Sequence, residues 1–250
     1  MEMYAFRDSV RNAACFAWRS PPQAAPPQYF QRKKALAVPE KNVFLTRGLK
    51  EPRSKAMKPF YQGKLDVFCA IYAVLNGLRL THGLRALKAR DILHETLLAL
   101  ADNKAAFKTV LDQQTDYIPL VDAMLQVHSI NYPLRVQAPF PPPEEGGNTP
   151  GPEETWQVIH DWLDGTPYRA ALFRFFRYVL PETAPVNRHW STISHLEDDS
   201  LRLYDASHEP ESVQRIGKHA FVTDTADIRQ QRLLYLDPHS LRFIQKTRAG

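Results

Sequence analysis

The chain has 250 residues, of which 44% are hydrophobic and 24% charged, and its formal net charge at pH 7 is +5. This composition is ordinary for a globular protein, and no apolar run reaches the roughly 18 residues that are needed to cross a bilayer. We therefore expect one domain with an extension, and no membrane-spanning segment.

The N-terminus carries arginines but lacks the apolar core, about 7 to 15 residues long, that a secretory signal needs. A cytoplasmic chain is therefore expected, with export by a specialised secretion system left open. Two cysteines without a Cys-x-x-Cys pair predict free thiols. The histidines at positions 82, 94, 128, 160 and 219 have no metal-ligand spacing, so no metal and no cofactor are assigned.

The chain divides into an N-terminal extension, residues 1–55, and a domain over residues 56–250. The extension contains the Pro-rich stretch SPPQAAPPQ and a basic run, which suit a loosely docked tail or an arm that binds a protein partner. Because the extension precedes Cys69, a candidate nucleophile, it could also cover the active-site cleft as an inhibitory segment. Deleting it would then raise activity. Nucleic acid is not favoured as a partner, because no aromatic-basic stacking motif or P-loop accompanies the charge.

Helices come first in the predicted order of elements. Apolar residues recurring every three or four positions predict helices over residues 66–83, 84–100, 104–112, 117–127 and 153–163. Residues 139–152, PFPPPEEGGNTPGP, are too rich in proline and glycine for a regular element and predict a loop. Strands are expected over residues 168–180, 189–197, 200–207 and 232–247, the last as a hairpin turning at Asp237-Pro238. Helices followed by antiparallel strands indicate an α+β fold.

Cys69 lies at the start of the first apolar helix, in YQGKLDVFCAIYAVLNGL. A helix N-terminus stabilises a thiolate, because its unpaired N–H groups and its dipole favour negative charge. Cysteine is also among the most buried residue types, so core packing is the alternative interpretation. For acyl transfer the thiol needs a base, a group that orients the base, and a donor to the oxyanion. Gln62 is the candidate oxyanion donor; Asp66 is a weaker one and is a candidate helix cap.

The base is expected from the segment NRHWSTISHLEDDSLRLYDAS. A hairpin that turns at about residues 198–199 would bring His189 to the residues around Asp205, so that the carboxylate holds the imidazole. His195 is the alternative base if the register differs, although an exposed strand histidine suits it better. Asp199 and Ser207 are alternative orienting residues. Trp190 either shields the thiolate–imidazolium pair from water or simply packs in the core.

These residues resemble the papain-like cysteine peptidases, most of all the bacterial branch with the double-glycine-type leader-processing peptidases. The resemblance lies in a Gln before a helix-starting Cys, a later His-Trp-x-x-Ile strand, and an Asp ending the next strand. It implies Cys69 as nucleophile, His189 as general base and acid, Asp205 as orienting residue and Gln62 as oxyanion donor. The family usually has one residue fewer between its Gln and Cys, and Gly or Trp where this chain has Ala70.

The resemblance implies a papain-like fold, in which a helical part carrying the Cys69 helix packs on a C-terminal antiparallel sheet. The implied function is a cysteine peptidase or amidase acting on a peptide or protein substrate. A weaker resemblance, Asp66-x-x-Cys69 with a distant histidine, is to ovarian-tumour-type deubiquitinases. Transglutaminase-like acyl transfer and an inactive binding module on the same scaffold stay open as alternatives. Cys15 has no acid or histidine pattern around it and is expected to be inert.

Overall fold

The computed structural model describes residues 57–63, 66–112, 116–142, 148–180, 185, 187–207, 212–229 and 234–247. Contacts divide the chain into two units, and the described residues from Pro59 onward belong to the first of them. Every helix and strand of the described residues belongs to the first unit. The predicted extension over residues 1–55 lies outside the described residues.

The described part of the first unit contains five α-helices and one mixed sheet of seven strands. The helices are α1 (Cys69–His82), α2 (Ala86–Ala101), α3 (Lys104–Leu111), α4 (Ile118–His128) and α5 (Pro152–Leu163). The strands are β1 (Leu134–Gln137), β2 (Arg169–Arg177), β3 (Asn187–Glu197), β4 (Ser200–Leu203), β5 (Arg215–Gly217), β6 (Phe221–Val222) and β7 (Leu234–Lys246). The sheet order is β1-β7-β2-β3-β4-β5, with antiparallel neighbours, and only the short β6 pairs in parallel, with β7. The chain therefore has an α+β fold. No described helix is both long and apolar enough to cross a bilayer.

Helix α1 packs against one face of the sheet, and most of its side chains are buried. It ends at Gly83, whose φ of 68° is the left-handed conformation that favours glycine and whose N–H bonds the carbonyl of Arg79. Within the helix, a Cβ on Gly77 would come within 2.7 Å of the Ile244 side chain, so glycine lets the helix approach the sheet closely.

The two faces of the sheet bury different helices, because successive strand residues point to opposite sides. Leu172, Trp190 and Ile244 pack in one core cluster with the residues of α1. Phe173 and Ile193 pack in a second cluster with α5. The alternation along β2 and β3 therefore produces a helix–sheet–helix arrangement with α1 on one side.

The hairpin predicted at Asp237-Pro238 is wrong, since β7 runs unbroken from Leu234 to Lys246. Residues on both sides of the dipeptide pair with β2, and the register shifts between Leu172 and Arg174. The turn chemistry is used locally in a bulge: the Asp237 carboxylate accepts the His239 N–H at 3.1 Å, and the Ser240 hydroxyl donates to the Asp237 carbonyl at 2.7 Å.

Other sequence predictions differ from the structure at the ends of elements and in the shortest strands. Helix α1 begins three residues later than predicted, and β4 ends at Leu203 rather than at residue 207. Strands β1, β5 and β6, of two to four residues, were not predicted. The described parts of the predicted loop, residues 139–142 and 148–151, contain no helix or strand.

Candidate active site

Cys69 is the first residue of α1, directly after the N-cap Phe68. The first helical hydrogen bond runs from the Tyr72 N–H to the Phe68 carbonyl at 3.1 Å. The N–H groups at the start of the helix therefore have no acceptor within it and face the side that carries the thiol. Cys69 is a free cysteine, and it is only 8% exposed.

The loop before Cys69 is organised by Asp66. Its carboxylate accepts the Gly63 N–H at 2.6 Å and the Phe68 N–H at 3.3 Å. The second bond goes to the N-cap residue itself, and no side chain caps α1. Asp66 therefore holds the loop together and is not the helix cap that the sequence predicts. With both oxygens occupied and no proton to donate when ionised, Asp66 is a poor oxyanion donor.

His189 lies on β3, opposite Phe175 of β2, and is 7% exposed. Its Nε2 lies 3.0 Å and 3.1 Å from the two carboxylate oxygens of Asp205. The Phe175 ring meets the imidazole edge-on, with centroids 5.5 Å apart. The ring is thus held on one side by a charged hydrogen bond and on another by an aromatic contact.

Asp205 follows β4 and is 2% exposed. Strands β3 and β4 are joined by a turn at residues 198–199, and Ile193 pairs with Leu203. This is the predicted turn, and it brings Asp205 to His189 as the sequence analysis expected. The Ser207 N–H donates to Asp205 at 2.5 Å. The Asp205 carboxylate is therefore contacted by both the His189 imidazole and a main-chain N–H donor in a buried place.

The pKa of His189 is raised to about 10 by two acidic groups that face the ring. Burial, the largest single influence, lowers this pKa, but the hydrogen bonds to Asp205 and Cys69 and the charges of both groups together outweigh it. Since Nε2 faces Asp205, Nδ1 is the ring atom available to the Cys69 thiol. The arrangement therefore favours the protonated form of the His189 ring, which lies between the Asp205 side chain and the Cys69 sulfur.

Gln62 is tied to the segment that carries Asp205. Its main-chain N–H donates to the Ala206 carbonyl at 3.0 Å. Its side-chain oxygen is buried and accepts no hydrogen bond within the part of the chain that the structure describes. The main chain of Gln62 is therefore close to Asp205, and the oxygen of its carboxamide makes no structural hydrogen bond to any described residue.

Tyr117 is a neighbour of Cys69 that the sequence analysis missed. Its buried hydroxyl lies 3.1 Å from the Val67 carbonyl and 3.3 Å from the Val110 carbonyl. Burial, and to a lesser extent the charge of Cys69, raise the pKa of Tyr117 far above its ordinary value. The residue fastens the loop before the nucleophile to the start of α4, and no local sequence pattern announces this contact.

The alternative site residues lie elsewhere or have other partners. His195 is exposed, and its Nδ1 lies 2.9 Å from the Ser194 hydroxyl. The pairing of β3 with β4 shifts register between Ile193 and His195. Asp199 lies in the exposed turn. Trp190 is fully buried in the core cluster that also contains Cys69. Cys15 lies outside the described residues.

The candidate site is a cysteine–histidine–aspartate constellation. Among the described residues no cluster of three or more His, Cys, Asp or Glu side chains could hold a metal ion. No protein-family model, curated protein or solved structure matches the chain. The functional interpretation therefore depends on the geometry of the site itself.

Proposed function

We propose that this protein is a thiol-dependent acyl-transfer enzyme. More narrowly, we propose a papain-like cysteine peptidase or amidase that cleaves a peptide or isopeptide bond in a peptide or protein substrate. The observation that carries this proposal is His189, buried between the Asp205 carboxylate and the Cys69 thiol at the first residue of α1. A single buried cysteine is common, but a thiol, an imidazole and a carboxylate in contact with one another are far less expected by chance.

The proposed reaction begins with the thiolate of Cys69. Its sulfur attacks the substrate carbonyl carbon, and the carbonyl π electrons move to oxygen. Protonated His189 then gives its proton to the leaving nitrogen as the C–N bond breaks, leaving a thioester on Cys69. His189 next takes a proton from water, which attacks the thioester and releases the acid and the thiolate.

The developing oxyanion needs donors that lie ready before the reaction. The main-chain N–H of Cys69 belongs to the first turn of α1, where N–H groups lack helical acceptors. The second donor in this proposal is the side-chain amide of Gln62. An amide is nearly symmetrical in shape, so a half-turn would present its N–H where its unbonded buried oxygen now lies.

Intact mass analysis with an irreversible peptidyl vinyl sulfone tests the proposal. Wild-type protein and a Cys15→Ala variant should each gain one adduct, and Cys69→Ala should gain none. His189→Ala should slow the addition by at least about a hundredfold, because general acid–base catalysis contributes about 10²- to 10⁴-fold.

Labelling that is equally fast in wild type and His189→Ala would contradict the proposal and favour a binding module. Adduct formation on Cys15 alone would contradict it as well. Adding hydroxylamine together with a peptide substrate then tests for the acyl-enzyme, because the acyl group is trapped as a hydroxamate whether the enzyme's own acceptor is water or an amine.

A further inference from the structure

We propose that Asn76, a fully buried residue of α1, is a positioning residue that holds Gln62 where its amide can reach the oxyanion. This inference rests on the proposed function. No motif in the sequence indicates a role for Asn76, and the contact between Cys69 and His189 does not by itself require one.

The side chain of Asn76 forms two hydrogen bonds with the main chain of one residue, Phe60. The Phe60 N–H donates to Asn76 Oδ1 at 2.7 Å, and Asn76 Nδ2 donates to the Phe60 carbonyl at 3.2 Å. Asn76 is 0% exposed. Its carboxamide therefore acts as a backbone strand would, pairing with both main-chain groups of a residue 16 positions earlier.

The position of Asn76 along α1 explains why this pairing concerns the site. Asn76 follows Cys69 by two helical turns, so the two residues lie on nearly the same face of the helix, about 10 Å apart along its axis. An extended segment advances about 7 Å over two residues. Gln62, two residues beyond Phe60, can thus cover most of the distance between Asn76 and Cys69.

The direction in which the segment runs is fixed at its other end. The Gln62 N–H donates to the carbonyl of Ala206, the neighbour of Asp205. Asp205 contacts His189, which in turn contacts Cys69. Residues 60–62 therefore run from the middle of α1 towards the catalytic groups.

Arg79 supports the same segment from outside. Its guanidinium lies over the Phe60 ring, 4.3 Å from the ring centre, and its Nε donates to the Tyr204 hydroxyl at 3.2 Å. Phe60 is thus held through its main chain by Asn76 and through its ring by Arg79. We call Asn76 and Arg79, which hold Phe60, the clamp. The side-chain oxygen of Gln62 is not part of it: this oxygen is buried and accepts no hydrogen bond from the described residues.

Two reactions of the same thiol separate positioning from general stability. Iodoacetamide alkylates a thiolate by direct displacement of iodide, with no oxyanion. p-Nitrophenyl acetate acylates it through a tetrahedral oxyanion, and the ester C–O bond breaks to release p-nitrophenolate. Both are measured on full-length protein carrying Cys15→Ala, so that one thiol reports.

The Asn76→Ala variant should lose at least about tenfold in the acylation rate, because removing an oxyanion donor outright costs about 10²- to 10³-fold. Its alkylation rate should stay within about twofold of the parent. Thr81→Ala is the matched control: Thr81 is equally buried in α1 and donates to the Gly77 carbonyl at 2.9 Å, away from the clamp. It should change neither rate by more than about twofold.

A double-mutant cycle with Gln62→Ala tests whether Asn76 acts through Gln62. Once Gln62 is removed, Asn76→Ala should reduce acylation no further. Equal losses of acylation and alkylation, or losses that multiply in the double variant, would overturn the inference. If Asn76→Ala does not fold, Asn76→Asp replaces it: it keeps the acceptor for the Phe60 N–H but not the donor, and unchanged acylation would overturn the inference too.

These outcomes differ from a failure of the proposed function. If Cys69 is no more reactive than a solvent-exposed thiol in the parent protein, the peptidase proposal fails before Asn76 is tested. If the parent is reactive in both assays and Asn76→Ala matches it, only the positioning role fails.

Discussion

The hydroxyl of Thr192 donates a hydrogen bond of 2.9 Å to the main-chain carbonyl of Ala73. Thr192 lies three residues after His189 on β3, and Ala73 lies four residues after Cys69 on α1. A single bond therefore joins the strand that carries the candidate base to the helix that carries the candidate nucleophile.

Replacing Thr192 with Val keeps the shape of the side chain and removes this bond. We expect the free energy of unfolding to fall by about 1 kcal/mol, the usual net value of a buried hydrogen bond, and Cys69 alkylation to slow several-fold. Urea denaturation and iodoacetamide kinetics measure the two effects. Thr96→Val is the control, since Thr96 bonds the Ile92 carbonyl within α2 alone. A loss of reactivity that is equal in both variants would refute a specific link.

Asp205→Asn should disable the site through the proton on His189. An asparagine amide that kept the Ser207 bond would turn an N–H towards Nε2, which would then have to accept, leaving the ring proton on Nδ1 beside the thiol. We expect Cys69 alkylation at pH 7 to fall at least about tenfold. A rate within twofold of wild type would contradict the orienting role.

Asp205→Ala should add a loss of stability to this loss of rate. It leaves the His189 ring and the Ser207 N–H without their partner in a buried place, which costs about 1 to 3 kcal/mol for an unpaired buried group. Urea denaturation should show a larger loss of stability in Asp205→Ala than in Asp205→Asn, because Asn can still accept the Ser207 N–H. The comparison separates the loss of stability from the changed proton position on the His189 ring.

Stability should depend on pH through His189. Its pKa is raised from 6.5 to about 10 in the folded chain, so its proton stabilises the fold fully below about pH 6.5, and this stabilisation is lost as the pH rises to about 10. The unfolding free energy of wild type minus that of His189→Gln should therefore decrease as the pH rises over this range. A difference that stays constant with pH would contradict the raised pKa.

Removing the thiol gives an independent check of the same pKa. Two of the causes that raise it come from Cys69, its hydrogen bond and its charge. In Cys69→Ser, the His189 resonances followed by NMR should titrate at a lower pH than in wild type. Identical midpoints would mean that the thiol does not face the ring.

The bulge in β7 should depend on Asp237 much more than on Asp116, although both carboxylates bind Arg174. Asp237 lies 2.5 Å from the guanidinium with its side chain 6% exposed, and Asp116 lies 3.1 Å away at 52% exposed. Asp237→Asn should cost about 3 kcal/mol, as breaking a buried pair does, and Asp116→Asn less than about 1 kcal/mol. Urea denaturation compares them, and equal losses would contradict the assigned difference.

Local sequence patterns predicted the parts of the site that depend on nearby residues. The apolar spacing after Cys69 gave a helix, and the acidic turn at residues 198–199 gave a hairpin that joins His189 to Asp205. Both depend on short-range periodicity and turn chemistry, which can be recognised from neighbouring residues in the sequence.

The contacts that hold the site together depend on distant residues and could not be predicted in this way. Asn76 pairs with Phe60 across 16 positions, and Tyr117 reaches Val67 across 50. An asparagine inside a helix and a tyrosine before one have no periodic signature. The β7 bulge was missed for the opposite reason: Asp237-Pro238 has a strong turn signature, and the pairing with β2 overrode it.

The turn between β3 and β4 makes this site sensitive to length more than to composition. Asp198 adopts a φ of 53°, a left-handed conformation that aspartate tolerates, and only residues 198 and 199 separate the paired Glu197 and Ser200. One inserted residue there would slide β4 by one position and turn Asp205 away from the imidazole. The contact between His189 and Asp205, 16 positions apart, therefore depends on the number of residues in this turn.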